Sequence, residues 1–395
     1  MKNNKKILYV VNHVAFFVSH RLPIALAARE LGYSIELLIG QAGSQLMEEE
    51  AIKKIEQVGI SYKRVSFSSA SINPFLECIG LLQLLIEVKK VRPSLVHCIS
   101  PKGILYGGIV ARIMGIKSVV ISISGMGFAF TQKKNSNRFR FFISTIYSCF
   151  FKYVLKHPNL RIIVQNEDDR KAIISFGNLE LSKVILVPGS GVELKKFIDS
   201  KIEEKSPIVL FPARMLWDKG VKEFLDAAKN LKPLMPEWRF VLAGAADYKN
   251  PTCVPKSYLE QLNRENIIDW VGYIENIQPY FAKASIVCLP SYREGLPKSL
   301  LEGAAAGCAI VTTDAIGCRE AILPNITGFL VPIANSDALT NALKILMSNR
   351  ELREQFGRGG RELAVNKFSL ETVVGENIKI YEELFVEDNE YTKKN

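Results

Sequence analysis

The feature that most constrains this 395-residue chain is a repeated alternation of short apolar runs with helix-forming segments. Apolar runs separated by helical segments are typical of parallel strands joined by crossover helices. The first half therefore predicts a doubly wound parallel sheet. Its apolar runs are KKILYVV (5–11), SIELLIG (34–40), SLVHCIS (94–100), SVVISIS (118–124), RIIVQN (161–166) and KVILVPGSGV (183–192).

The alternation breaks where charge rises, over 193–206, and then begins again. The second series of apolar runs is PIVLFPA (207–213), RFVLAGA (239–245), IDWVGYI (268–274), SIVCLP (285–290), AIVTTD (309–314) and GFLVP (328–332). Two similar α/β domains joined by a linker predict a small-molecule site in a crevice between them. The predicted boundaries are a first domain of 1–192, a linker of 193–206, a second domain of 207–369, and a C-terminal helix and tail of 370–395.

The excess positive charge lies in the first half. Residues 1–195 hold 26 Lys and Arg against 13 Asp and Glu, a net charge of +13, and the remainder holds 25 against 27, a net charge of −2. This imbalance predicts an anionic partner for the first domain: a membrane surface, a phosphorylated lipid or a nucleic acid. Seven cysteines without paired spacing indicate buried free thiols in a reducing cytoplasm.

The segment KKNSNRFRFFISTIYSCFFKYVLKH (133–157) is both basic and aromatic. It is too short to span a bilayer, which takes about 20 apolar residues, but as a helix it can lie in the interface with its lysines at anionic headgroups. The alternative is an ordinary core helix with polar ends. We favour the first and expect a peripheral protein on the cytoplasmic face of the membrane. Its apolar residues are Phe141, Phe142, Ile143, Ile146, Phe150, Phe151 and Val154, and Lys133 and Lys134 precede them.

Two glutamates eight positions apart, Glu294 and Glu302, lie between two apolar runs of the second domain. The pattern predicts a strand, a loop that carries Glu294, a helix that carries Glu302, and a second strand. Ligands of open α/β sheets bind at the carboxyl ends of strands. A helix N-terminus there favours a phosphate, and carboxylates accept sugar hydroxyls, so the pair predicts a nucleotide-sugar site. The alternative is two solvated glutamates beside a surface helix.

Two bases, Arg214 and Lys219, follow the first strand of the same domain in FPARMLWDKGV. A guanidinium fork and a point charge suit a diphosphate, although two exposed loop bases are the alternative for this motif alone. The Gly-rich loop at Gly189 either presents N–H groups to a phosphate or is a hinge. In the first domain, Lys102 is expected to face the crevice, and His97 to be a packed strand residue. No DxD and no metal-ligand spacing occurs in the sequence, which disfavours a metal-dependent mechanism.

Together these motifs resemble the family 4 glycosyltransferases, whose GT-B fold has two Rossmann-like doubly wound domains facing across a crevice. The resemblance covers nearly the whole chain and implies retaining, metal-independent transfer from a nucleotide sugar. It implies that the two bases hold the diphosphate, Glu302 the ribose hydroxyls and Glu294 the donor sugar. The implied donor-binding residues are Arg214, Lys219, Ile274, Glu294, Gly295, Leu296, Pro297, Glu302 and Gly189; the candidate catalytic residues are Glu294, Arg214, Lys219 and Lys102.

Four stretches, SPKGILYGG, ISGMGFAF, QNEDDR and LPSYREGLPKSLLE, resemble members that extend undecaprenyl-diphosphate-linked sugars, among them N-acetylgalactosaminyltransferases. This implies a UDP-sugar donor, with an N-acetylhexosamine expected, a lipid-linked sugar acceptor, and no cofactor beyond the donor substrate. The alternatives are a GT-B enzyme with soluble substrates, or a non-catalytic nucleotide- or polyanion-binding protein. Because the sequence has no recognised RNA-binding signature, no nucleic-acid partner is expected.

Overall fold

A computed structural model of the chain describes residues 5–41, 45–68, 73–125, 138–248 and 250–394. The chain divides into two compact units, one of Met1–Val187 with Val374–Asn395 and the other of Pro188–Val373. Each unit contains one parallel sheet with helices, as the two alternating series predict.

The sheet of the first unit has seven strands in the order β3-β2-β1-β4-β5-β6-β7. All of its strand pairs are parallel, and the central strands β1, β4 and β5 are almost entirely buried. The strands are β1 (Lys6–Val11), β2 (Ser34–Gln41), β3 (Ser61–Ser68), β4 (Leu95–Ile99), β5 (Ser118–Ser122), β6 (Leu160–Val164) and β7 (Val184–Leu186).

Helices connect these strands. They are α1 (Val14–His20), α2 (Leu22–Glu30), α3 (Gln45–Gln57), α4 (Pro74–Val91), α5 (Pro101–Ile113), α6 (Arg138–Leu155) and α7 (Glu167–Gly177). Helix α5 packs against both α4 and α6. Its close contact with α6 depends on Gly108, because a Cβ there would lie only 2.3 Å from Val154 Cγ1. Strand β3 and helix α4 are elements that the sequence analysis did not identify.

The sheet of the second unit has six parallel strands in the order β10-β9-β8-β11-β12-β13. They are β8 (Ser206–Pro212), β9 (Arg239–Ala243), β10 (Asp269–Gly272), β11 (Ala284–Leu289), β12 (Ala309–Thr313) and β13 (Gly328–Val331). The helices are α8 (Val221–Leu231), α9 (Lys256–Arg264), α10 (Gln278–Lys283), α11 (Lys298–Ala305), α12 (Ser336–Ser348) and α13 (Arg350–Lys367), and α14 (Leu370–Lys394) follows them.

The division of the chain differs from the predicted boundaries at two places. Residues 188–206 belong to the second unit instead of forming a separate linker, because they are bonded into it. The backbone of Val192 bonds to Phe368 and Leu370, and Ser200 Oγ donates to the Ala306 carbonyl at 2.8 Å. The second difference is that α14, from Val374 onward, belongs to the first unit.

Buried polar contacts hold α14 in the first unit. The Tyr381 hydroxyl lies 2.9 Å from the Tyr9 hydroxyl of β1 and 2.7 Å from His97 Nδ1 of β4. His97 Nε2 lies 2.7 Å from Ser122 Oγ. Burial lowers the pKa of the His97 imidazole well below its usual range. His97 is therefore a neutral, packed strand residue, as expected.

The basic aromatic segment is partly a core helix. Phe151 and Val154 of α6 are buried, whereas Ile146 and Phe150 are half-exposed. The prediction that this helix lies in the membrane interface is therefore wrong for Phe151 and Val154, whose face of α6 packs against α5 and α7. Lys133 and Lys134 lie outside the described residues, as do the side chains of Phe141, Phe142 and Ile143. Over the described parts of the chain, none of the helices combines the length and apolar content needed to cross a membrane.

The expectation of buried thiols holds for Cys98, Cys288, Cys308 and Cys318. It is wrong for Cys78 and Cys149, which are exposed on α4 and α6. Both helices bury only the face that packs on their neighbours, so apolar sequence around a cysteine did not guarantee burial.

Candidate active site

The candidate site of the second unit lies where the strand order reverses. The chain passes from β8 to β9 on one side, and β11 returns to pair with β8 on the other. The loops that leave the carboxyl ends of β8 and β11 therefore diverge from neighbouring strands. This switch point is where open α/β sheets bind ligands. Arg214 and Lys219 follow β8, and Glu294 to Pro297 follow β11.

An ion pair connects the two loops. Lys219 Nζ donates to Glu294 Oε1 at 2.5 Å, and the two side chains are 19% and 15% exposed. Lys219 ends a single helical turn, Trp217–Lys219, directly before α8. An ammonium has three N–H donors, so Lys219 can keep this contact and still donate to a phosphate oxygen. The structure thus brings together one predicted base and one predicted glutamate.

Backbone hydrogen bonds fix the same two loops. The Tyr292 amide donates to the Asp218 carbonyl at 2.9 Å, and Ser291 Oγ donates to it at 3.2 Å. The Tyr292 hydroxyl donates to Glu223 Oε1 of α8 at 2.7 Å. Burial, followed by this hydrogen bond, raises the pKa of Tyr292 to about 12, so the hydroxyl stays protonated. Sequence reasoning missed Tyr292 and Glu223, because only the strand order makes them neighbours.

A third loop, after β12, contacts the loop of Glu294 to Pro297, which we call the donor loop because it is predicted to hold the donor sugar. The Glu294 amide donates to the Ile316 carbonyl at 2.9 Å. Gly317 has a φ of +82°, and a Cβ there would lie 2.3 Å from the Glu294 carbonyl oxygen and 2.5 Å from that of Gly295. Only glycine fits this approach without displacing the backbone of the site. The sequence signal was a glycine shortly after a predicted strand.

Helix α11 begins at the end of the donor loop, and Pro297 is its N-cap residue. The Pro297 side chain makes no cap hydrogen bond, and a helix N-terminus of this kind suits a phosphate. Gly189, with a φ of +75°, lies against the same loop: a Cβ there would be 3.3 Å from Leu296 Cδ2. The predicted Gly-rich loop and the predicted donor loop therefore meet inside this unit.

Glu302 lies in the second turn of α11 and is 22% exposed. Its Oε1 atom is 3.8 Å from Lys298 Nζ, which is longer than a hydrogen bond. Burial raises the pKa of the Glu302 carboxyl, although the charges of Lys298 and Lys196 oppose this shift. A partly desolvated carboxylate with a distant counter-charge has free lone pairs for hydroxyl donors.

Arg214 and Ile274 lie at the same carboxyl edge. Arg214 Nη1 donates to Asp247 Oδ2 at 2.8 Å, and Asp247 follows the neighbouring strand β9. More than half of the Arg214 side chain is exposed, so a second anion can reach it. Ile274 follows β10, two strands from β8, and packs partly buried against the core. Asp247 was missed by sequence reasoning, because nothing near Arg214 in the chain identifies its partner.

Lys102 occupies the corresponding position in the first unit. It lies in the first turn of α5, after β4, and its Nζ donates to Glu77 Oε1 of α4 at 2.5 Å. The Tyr106 hydroxyl donates to the other oxygen of the same carboxylate. Lys102 is 17% exposed, so its ammonium is already engaged within the unit. Its catalytic role remains a prediction.

A polar network that the sequence analysis did not identify joins β1 and β4 at their switch point. Asn12 follows β1, and its side-chain oxygen accepts from Ser100 Oγ at 2.8 Å and from the Gly103 amide at 2.9 Å. Ser100 has a φ of +66°, a strained conformation for a residue other than glycine. Such strain is typical of functional loops, and here it lies beside Lys102.

No group of three or more His, Cys, Asp or Glu side chains within the described residues is placed to hold a metal ion. The charged groups of the second-unit site include two cations, Arg214 and Lys219, that suit a diphosphate, and two carboxylates, Glu294 and Glu302, that suit sugar hydroxyls. This arrangement can bind a nucleotide sugar by charge and hydrogen bonding.

Two family models match the chain. The model described as "Glycosyl transferase 4-like" matches residues 6–166, and "Glycosyl transferases group 1" matches residues 193–363. The chain is 27% identical, over 387 residues, to the N,N'-diacetylbacillosaminyl-diphospho-undecaprenol alpha-1,3-N-acetylgalactosaminyltransferase of Campylobacter jejuni, covering 94% of this chain and 97% of that protein. It is 24% identical, over 304 residues, to the UDP-Gal:alpha-D-GlcNAc-diphosphoundecaprenol alpha-1,3-galactosyltransferase of Escherichia coli, covering 74% and 76%.

Solved structures agree with this assignment at the level of the fold. A glycosyltransferase from Rickettsia africae superimposes with a TM-score of 0.71 at 19% identity, over 98% of this chain and 99% of that one. Anabaena HepE in complex with UDP-glucose gives a TM-score of 0.74 at 17% identity, over 96% and 99%. The predicted GT-B fold is confirmed, and this chain belongs to the family 4, or group 1, glycosyltransferases.

Proposed function

We propose that this glycosyltransferase moves a sugar from a UDP-sugar to a lipid-linked sugar acceptor in polysaccharide or glycan biosynthesis, with retention at the anomeric carbon. The observation that carries the proposal is the Lys219–Glu294 ion pair at the switch point between β8 and β11. The pair supports the proposal because a cation suits the diphosphate and a neighbouring carboxylate suits the sugar of a donor that contains both.

The residues around this pair each bind a different part of the donor. Lys219 and Arg214 hold the diphosphate, with the N-terminus of α11 and the Gly189 loop supplying backbone N–H groups. Glu302 accepts the ribose hydroxyls, and Glu294 with the backbone of Gly295, Leu296 and Pro297 holds the sugar. The backbone around Ile274 meets the base.

These groups also assist the reaction. The bond from the anomeric carbon to the diphosphate oxygen breaks, and a bond forms from that carbon to an acceptor hydroxyl oxygen, whose proton leaves with the diphosphate. Negative charge grows on the leaving UDP during this step. Fixed cations and helix N–H groups stabilise that charge more in the transition state than in the bound donor. The chain's own residues supply this charge stabilisation, so we propose catalysis without a metal or other cofactor.

The relatives support the acceptor and the stereochemistry. The Campylobacter and Escherichia proteins are both named for undecaprenyl-diphosphate-linked acceptors and for α-1,3 linkages, and the latter is named for UDP-Gal. UDP-galactose is itself an α-glycoside, so an α product corresponds to retention. An N-acetylhexosamine is our proposed donor sugar, from the Campylobacter likeness.

A lipid-linked acceptor is anchored in a bilayer, which places the enzyme at the membrane during each turnover. The surplus positive charge of residues 1–195 favours association with anionic lipid. We therefore propose peripheral attachment at the cytoplasmic face, with no nucleic-acid partner.

A donor screen tests the function. The purified protein is incubated with single UDP-sugars and bacterial membrane extract, and lipid-linked products are identified by mass spectrometry. We expect one UDP-sugar to add one residue to a diphosphate-linked glycolipid, and the Lys219→Ala variant to add little. Full activity on soluble acceptors with none on lipid-linked ones would contradict the acceptor; retention of nucleotide without any transfer would contradict the enzyme.

A further inference from the structure

Helix α4 is apolar on two opposite faces. Gly80, Leu84, Val88 and Val91 are buried and face the sheet. On the opposite side lies a row that we call the α4 stripe, spaced four, three and four residues apart. It consists of Phe75, Ile79, Leu82 and Ile86, which are between 45% and 81% exposed.

A helix that is apolar all round is normally buried on all sides. Single exposed apolar side chains are common on protein surfaces, but a continuous row marks an interaction site. The α4 stripe does not pack the helix onto the sheet, because the buried face already does so. We therefore interpret the stripe as a binding surface.

Positive charge continues the stripe at its C-terminal end. Lys6, Lys89, Lys90 and Arg92 surround an open hollow of about 730 Å³, and Ile86 lines the same hollow. The two acidic residues of α4 are both engaged: Glu77 with Lys102, and Glu87 with Lys63 and Lys90 at 2.7 Å each. The exposed side of α4 thus combines an apolar row with a cationic end.

We propose that the outer face of α4 is the surface by which this protein docks on an anionic phospholipid bilayer. A helix lying in the interface needs an apolar row for the acyl boundary and cations for the headgroups, and α4 has both. The α4 stripe consists of four side chains, which is far fewer than the roughly 20–30 residues that each partner contributes to a standard protein interface. A stable protein interface needs about 800 Å² from each partner, so a second copy of the chain fits this face less well.

Docking on α4 has a consequence for the acceptor, which rests on the proposed function. Phe75 lies in the first turn of α4, and Glu77 of that turn binds Lys102 after β4. The first turn of α4 therefore lies near the loop that follows β4, at the carboxyl edge of the first sheet, with Glu77 toward Lys102 and Phe75 exposed. A bilayer along the stripe brings the headgroup of a lipid-linked acceptor to that edge.

Vesicle co-sedimentation tests the proposal, with the full chain and vesicles of phosphatidylglycerol and phosphatidylcholine in equal parts. The stripe variant is Ile79→Gln, Leu82→Gln and Ile86→Gln, since glutamine is a good helix former at exposed positions. Its matched control is Leu234→Gln, Ile345→Gln and Val365→Gln, which removes three half-exposed aliphatic side chains from the second unit. A charge variant is Lys89→Gln with Lys90→Gln, and a competing-site variant is Ile146→Gln with Phe150→Gln on α6.

We expect wild type and the matched control to bind at low salt and to be released by high salt. The stripe variant should lose at least about tenfold in bound fraction, since three apolar side chains no longer insert. The charge variant should lose about tenfold or more at low salt, since each cation near an anionic surface contributes about fivefold. Transfer to a water-soluble, short-chain acceptor should be unchanged in all four variants.

Several results would overturn the proposal: wild-type binding by the stripe variant, loss of binding only in the α6 variant, or equal binding to pure phosphatidylcholine. Analytical ultracentrifugation adds one more, since a wild-type dimer that the stripe variant abolishes would make a second copy the occupant. A wild type that docks but transfers no sugar would refute the proposed function and leave the docking surface standing. A protein that transfers sugar but does not bind the vesicles would refute the docking surface and leave the proposed function standing.

Discussion

Lys219 Nζ lies 2.5 Å from Glu294 Oε1, and this contact joins two loops that are 75 positions apart in the sequence. Both side chains are mostly buried, so water screens the pair weakly. Removal of either partner leaves the other charge uncompensated, and such losses are costly. The pair therefore holds the donor loop in position and presents a cation to the diphosphate at the same time.

The first prediction concerns the two bases. Lys219→Ala and Arg214→Ala should each remove a charge-assisted contact to the diphosphate, worth about 1.5–3 kcal/mol, which lowers kcat/KM for the UDP-sugar by about 10- to 100-fold. The matched control is Lys222→Ala, which removes a nearby lysine paired with Asp226 on the exposed side of α8. Steady-state kinetics with the fold checked by circular dichroism measure the effect. Wild-type turnover by a folded Lys219→Ala protein would exclude the assigned role.

The second prediction concerns Gly317, which supports the donor loop. Gly317→Ala should displace the carbonyls of Glu294 and Gly295 and weaken UDP binding by about tenfold or more. It should also destabilise the fold by about 1–2 kcal/mol, the cost of a left-handed residue other than glycine. Gly59→Ala is the matched control, because Gly59 has a φ of +68° with open space around it. Calorimetric titration with UDP compares the two variants. Equal UDP affinity in both would show that the close approach at Gly317 is unimportant for the site.

The third prediction concerns metal dependence. Since the second-unit site offers fixed cations to the diphosphate, EDTA should leave initial transfer rates largely unchanged. The assay is run in chelated buffer with and without added Mg²⁺. A complete loss of transfer that Mg²⁺ restores would refute a metal-independent mechanism.

The fourth prediction concerns the buried contacts of α14. Tyr381→Phe keeps the ring but leaves the Tyr9 hydroxyl and His97 Nδ1 without their shared partner. An unsatisfied buried group costs about 1–3 kcal/mol, so the free energy of unfolding of the first unit should fall by about that amount. Tyr33→Phe is the control, because Tyr33 stacks on Phe385 of the same helix and is only partly buried. Urea unfolding followed by fluorescence measures both, and an unchanged midpoint for Tyr381→Phe would contradict the role of the contact.

Much of the second unit could be predicted from the sequence, because local signals coincide with the positions of the site residues. Short apolar runs locate β8 and β11, and polar side chains directly after them must lie at the carboxyl edge of a parallel sheet. Contact between Lys219 and Glu294 additionally requires that β8 and β11 be neighbours, which depends on strand order and not on local pattern. The Arg214–Asp247 pair was missed for the same reason.

The first unit was harder to predict. Strand β3 has the sequence SYKRVSFS, whose polar residues hide an edge strand. Helix α4 is apolar on two opposite faces, so its sequence lacks the single apolar stripe that identifies an amphipathic helix, and its exposed face is the surface we propose for docking. The strained Ser100 and its bonds to Asn12 follow from tertiary contacts across 88 positions.

The fifth prediction concerns Glu302, whose buried carboxyl has a raised pKa. The pKa of Glu302 in the folded state lies above its value in the unfolded state, which is about 4.3. The free energy of unfolding therefore falls as pH rises from the unfolded-state pKa through the folded-state pKa. The charged Glu302 therefore destabilises the second unit at neutral pH. Glu302→Gln should raise the thermal unfolding midpoint at neutral pH, and this gain should shrink as the pH falls toward the pKa of glutamate in the unfolded state.

The same substitution should weaken binding of the donor. A carboxylate accepts the ribose hydroxyls more strongly than an amide does, so Glu302→Gln should lower UDP affinity by about tenfold. Wild-type UDP affinity should also fall on acidification at a higher pH than an ordinary glutamate would give. Glu362→Gln, on the exposed side of α13, is the control and should change neither property. Thermal unfolding and UDP titration across pH measure both effects in one protein. A Glu302→Gln protein that is less stable at neutral pH, or binds UDP as tightly as wild type, would show that Glu302 serves the fold and not the ribose.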